Sequence, residues 1–215
     1  MSPPELPDRE PPRRLPDLVP GVGVPAQEPA SGRPDAFAGL LARRTLFLRG
    51  ELDEPKASGL AAELMLLDGV ADDPVTLLIN SGGGALPAVF ALLDTVRLMR
   101  APVTTVCVGQ AAGTAAAVLV LGTGGREAAP NATISLRVDA RTELTGGAHR
   151  VQQQAEHLAA LRDRLADLLA RASALPLEVV RDDLDSGRPL DVREALASRL
   201  IDRVRAGSGG WRRSE

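Results

Sequence analysis

Two stretches of this chain repeat one pattern, and that repetition restricts the fold more than any other feature. Pro74-Val-Thr-Leu-Leu-Ile-Asn80 is a continuous apolar run, closed by Ser81-Gly-Gly-Gly84 and followed by helix-periodic sequence from about Leu86 to Met99. A second apolar run spans residues 102–108, continues into Gly109-Gln-Ala-Ala-Gly113, and meets a small-residue helix expected over about 112–121. Strands that are apolar on both faces must be covered on both faces. Alternation of such strands with helices predicts an α/β protein with a parallel or mostly parallel sheet.

The flanking sequence extends this reading. Arg44-Thr-Leu-Phe-Leu-Arg-Gly50 predicts a short strand, and residues 53–68 a helix capped by Asp53, with Leu60, Leu64 and Leu67 at helical spacing. Residues 128–138 supply strand-like material around Pro130, and residues 142–147 are turn-prone. Residues 149–172 predict a long amphipathic helix with Leu158, Leu161, Leu165, Leu168 and Leu169 on one side. Two shorter helices, near 176–185 and 191–198, precede a closing strand over 200–204.

Ten of the 17 prolines fall within residues 1–34, so that segment is expected to be disordered, with the folded domain over 35–205 and a flexible tail at 206–215. A net charge of −3 removes the basic footprint of a nucleic-acid binder, and the absence of Tyr beside 3 Phe and 1 Trp removes stacking platforms. One cysteine (Cys107) and two histidines (His149, His157) leave no disulfide framework and no metal site of usual ligand count, and no cofactor is implied. No signal-type apolar region or membrane-length apolar stretch is present, so a cytoplasmic chain without membrane contact is the expectation.

The glycine turn at 81–84 lacks the Lys-Ser/Thr ending of a phosphate loop and the spacing of a dinucleotide fingerprint. Two strand-turn-helix passages facing each other do suit a two-donor oxyanion hole, with a nucleophile at the start of the second helix. Close packing of that helix on the sheet explains the same small residues without any chemistry.

At this point the chain resembles a known family, the proteolytic subunit of the Clp protease. The resemblance rests on Leu46-Phe-Leu-Arg-Gly50, Leu78-Ile-Asn-Ser-Gly-Gly-Gly84, Ala91-Leu-Leu-Asp-Thr95, Val106-Cys-Val-Gly-Gln-Ala-Ala112, Pro130-Asn131, Arg181-Asp182 and Leu200-Ile-Asp202. It implies a ClpP/crotonase-like spiral of βαβ units, with a protruding helix, here residues 149–172, used for oligomerisation into stacked rings. It also implies AAA+ unfoldase rings docking on the outer faces, and an unfolded polypeptide as substrate within the chamber.

Carried over position by position, the family's catalytic serine corresponds to Gly113, its histidine to Arg137 and its aspartate to Asp182. Only the third is kept. Glycine supplies no nucleophile, and arginine holds its proton at any ordinary pH, so it cannot serve as a base. Gly84 and Thr114 occupy the positions whose backbone forms the oxyanion hole, and the family's proline in the preceding turn is replaced by Gly82. Where the family presents an aromatic docking residue, this chain has Leu78, which weakens direct docking of an unfoldase.

The expectation is a degenerate, non-cleaving homologue that assembles with itself or with an active paralogue. Two alternatives stand beside it. One is an active serine- or threonine-type endopeptidase with a non-standard site, for which Thr114 is the candidate hydroxyl and Ser135, sharing a strand face with Arg137, a lesser one. The other is a crotonase-like acyl-thioester binder, which lacks an acidic residue near either turn. Cys107, mid-strand, reads as a buried small hydrophobe, and both histidines as residues of the protruding helix.

Overall fold

The computed structural model describes residues 36–138 and 147–205. The expected disordered segment 1–34, most of the turn-prone stretch 142–147 and the tail 206–215 lie outside the described residues. The elements are α1 (Ala36–Leu41), β1 (Thr45–Leu52), α2 (Glu54–Val70), β2 (Val75–Gly84), α3 (Leu86–Leu98), β3 (Val103–Ala112), α4 (Thr114–Val120), β4 (Gly125–Ala128), β5 (Thr133–Ser135), α5 (Ala148–Ala172), α6 (Leu177–Ser186), α7 (Val192–Ala197) and β6 (Arg203–Val204).

Among the described residues the named strands all pair in parallel, in the order β1-β2-β3-β4-β6, with β5 also pairing β3 and Ile134 of β5 bridging antiparallel to Leu190. β4 pairs Thr104 to Cys107 of β3 and β5 pairs Gln110 to Ala112, so both short strands share one flank of β3. Strand-like material around Pro130 thus becomes two strands, separated where proline removes a ladder donor. The mostly parallel sheet read from the apolar runs is present.

Helix α2 follows from local chemistry. Asp53 accepts the Lys56 N–H at 2.9 Å, Pro55 sits in the first turn, and Ala57, Leu60, Leu64 and Leu67 are buried. Its far end is held by Arg44, whose guanidinium donates to the carbonyls of Leu67 (3.0 Å), Ala71 (2.9 Å) and Asp73 (3.1 Å). Helix α4 is buried on every side, as a helix with no polar face must be. Helix α5 buries only Leu165, Ala166 and Leu169, so its first four turns carry no buried residue.

The closing strand is shorter than its sequence suggests, with only Arg203 and Val204 in the ladder. Side chains complete the join. Glu127 of β4 is 1% exposed and pairs with Arg203 and with Arg205 Nε at 2.6 Å. Arg126 grips Asp202 and donates to the Ala172 carbonyl at 2.6 Å, holding the Asp202 carboxyl below its ordinary range.

Candidate functional site

The two strand-to-helix passages lie side by side because β2 and β3 are neighbours in the sheet. Both strands run further than the apolar pattern predicts. β2 continues through Ser81-Gly-Gly-Gly84 and β3 through Gly109 to Ala112, each as backbone ladder. The register of β2 against β3 shifts between Ile79 and Ser81, which marks where the strands leave the core and enter the site. Ser81 is buried and organises the bend, accepting the Gly83 N–H at 3.1 Å while its hydroxyl donates to the Gly50 carbonyl.

Contact between the passages is tight. Gly83 has φ +89, and a Cβ there would stand 2.6 Å from the Ala112 carbonyl oxygen and 3.0 Å from Thr114 N. Only glycine fits both the conformation and the space.

Gly113 ends β3 and begins α4 with φ 55 and ψ −123. This is a sharp strand-to-helix turn of the kind on which hydrolases expose a nucleophile. Its N–H donates to the Ser135 carbonyl at 2.8 Å, and an added Cβ would meet the Arg137 carbonyl oxygen at 3.0 Å. Val138 N–H in turn donates to the Leu184 carbonyl of α6 at 3.0 Å. The structure therefore brings Gly113, the Arg137 backbone and the helix that carries Asp182 into one place. Arg137 and Asp182 are both exposed. Next to Asp182, burial first and the Asp182 charge second raise the Asp183 carboxyl above its usual range, against Arg188.

The Gly84 N–H is already engaged. It donates to Thr114 Oγ1 at 2.8 Å, and the same hydroxyl lies 3.4 Å from the Gly84 carbonyl, to which it can donate. Thr114 is completely buried. Ser135 is half-buried, its hydroxyl 3.5 Å from the Gly187 carbonyl and 3.4 Å from Arg137 N. Neither hydroxyl has a histidine nearby in the chain. His149 and His157 are exposed on α5, and His157 precedes the helix's first buried residue, Leu165, by about 12 Å of helical rise.

Cys107 is 0% exposed in the middle of β3, and burial pushes its thiol up to about 12. The thiolate, the reactive form, is therefore scarce at neutral pH. In the folded protein at pH 8, iodoacetamide is expected to leave Cys107 unmodified, whereas the chain in denaturant takes up one adduct by intact mass. Equal modification in both states would show that the strand opens readily.

Sequence reasoning placed the two passages but gave Ser81 no role and missed the Thr114–Gly84 contact. A β-branched hydroxyl in the first turn of a small-residue helix was the available signal. Among the described residues no group of three His, Cys, Asp or Glu is placed to hold a metal ion, and no helix is long and apolar enough to cross a membrane.

A parallel βαβ sheet whose neighbouring strands deliver two facing turns defines an α/β protein with two strand-to-helix passages side by side. The chain belongs to the Clp protease family, whose family profile matches residues 30–207. It is 34% identical over 172 residues to the ATP-dependent Clp protease proteolytic subunit 4 of Streptomyces avermitilis, covering 79% of this chain and 76% of that one. A Clp protease proteolytic subunit-like protein of Streptomyces coelicolor is 37% identical over 173 residues, covering 79% and 82%. Proteolytic subunit 2 of the same organism is 33% identical over 172 residues, covering 79% of each.

Proposed function

We propose that this chain is a non-cleaving Clp proteolytic-subunit homologue, which joins an active paralogue in a mixed ring in the cytoplasm. The observation that carries the reading is Gly113. The backbone there has the geometry of a nucleophile elbow, φ 55 and ψ −123, and the residue has no side chain to present. Arg137 stands where the family keeps its base, and a guanidinium does not give up its proton near neutral pH. Asp182, without a histidine to orient, has no catalytic task left. The exposed first half of α5 supports the assembly part of the reading, since a helix of 25 residues with three buried ones leaves most of its length for a partner subunit.

Co-expression with a complete Clp proteolytic subunit, followed by native mass analysis, tests both parts. The expected result is an assembly containing both chains, in which a fluorophosphonate labels only the complete subunit. Labelling of this chain overturns the inactivity, and recovery of the two chains in separate assemblies overturns the mixed ring.

A further inference from the structure

We infer that Thr114 locks the oxyanion position of its own site, by placing its hydroxyl oxygen where a substrate's carbonyl oxygen would have to lie. The inference rests on the reading of the two passages as a remnant hydrolase site and concerns a different loss from that of the nucleophile.

Three features of the geometry carry it. The Gly84 N–H, one of the two donors an oxyanion would need, has a partner at 2.8 Å in Thr114 Oγ1. The partner is an oxygen acceptor, so it satisfies the donor in the same way a carbonyl would. The hydroxyl proton has its own acceptor in the Gly84 carbonyl at 3.4 Å, which makes the contact reciprocal across 30 residues of chain.

The side chain is also closely surrounded. Thr114 is fully buried, Gly83 lies so close that a Cβ there would be 3.2 Å from Thr114 Oγ1, and all of α4 behind it is buried. To admit a carbonyl, the chain would have to break a satisfied, part-buried hydrogen bond and rotate a buried residue. Loss of the nucleophile and closure of the oxyanion position are thus separate obstacles in one site. Returning serine to position 113 removes only the first.

Amide hydrogen exchange at Gly84 reads the lock without any activity. It is measured on the full chain and on Thr114→Ser, Thr114→Ala and Thr114→Val. Serine keeps the hydroxyl, alanine removes it with volume, and valine removes it at nearly constant volume. The Gly84 amide is expected to exchange about tenfold faster in the alanine and valine variants, with the serine variant within about threefold of the parent. Unchanged exchange at Leu77, in the buried part of β2, reports that each variant keeps the sheet. Equal Gly84 rates in all four proteins, or a serine variant as fast as alanine, would overturn the lock. Fluorophosphonate labelling of the unaltered chain would instead overturn the inactivity, so the two failures are distinguishable.

Discussion

Purified free of other Clp subunits, this chain is expected to hydrolyse a fluorogenic peptide about 10⁶-fold more slowly than a family member with a complete triad. The magnitude follows from how the triad works. Nucleophile and base act as a unit, so removing either costs nearly as much as removing both. Under the proposed correspondence both positions are changed: Gly113 offers no oxygen, and Arg137 accepts no proton. The nearby substitutes are occupied. Thr114 is buried with its hydroxyl committed to Gly84, and Cys107 lies inside the sheet with its thiol pushed up to about 12. Matched progress curves for the two purified proteins decide the matter. A rate within about a hundredfold of the active protein would mean that a hydroxyl elsewhere carries the reaction.

The second large effect is on stability. Gly84→Ala is expected to cost about 3 kcal/mol, read as a lower denaturation midpoint in urea with unchanged slope. The backbone angles at Gly84 are ordinary, so strain is not the reason. Space is. A Cβ there would lie 2.3 Å from the Leu52 carbonyl oxygen and 2.7 Å from Leu52 N, and β1 would have to part from β2 to admit it. Gly82, two residues earlier, is the control, since a Cβ there meets nothing within 4 Å. Gly82→Ala is expected to leave the midpoint within about 0.5 kcal/mol of the parent. Similar losses at both glycines would mean that chain flexibility, not the close approach of β1, governs this turn.

Most of the fold was legible in the sequence for one physical reason. Buried parallel strands must be apolar throughout, so residues 75–79 and 103–107 announced themselves, and the spacing of Leu60, Leu64 and Leu67 announced α2. What escaped was structure held by backbone alone. Ser81 to Gly84 and Gly109 to Ala112 read as turns because glycine carries no side-chain preference, yet their N–H and C=O groups continue the ladder. α1 went unread because six residues with no buried position leave no periodic signature. At the site, the roles assigned to Gly113, Arg137 and Asp182 rest on resemblance alone. The Thr114–Gly84 contact was not, because it joins residues 30 apart and exists only once β2 and β3 are paired.

The bonds that assemble the site carry a consequence for how such a chain changes over time. Gly113 N–H reaches the Ser135 carbonyl, and Val138 N–H reaches the Leu184 carbonyl, so Gly113, Arg137 and the helix that carries Asp182 are gathered by main-chain atoms. Main-chain atoms are the same whatever residue is encoded. A change of side chain at Arg137 or Asp182 therefore leaves these supports in place. Side-chain chemistry in this architecture is separable from the backbone that positions it: the one can change while the chain keeps its shape.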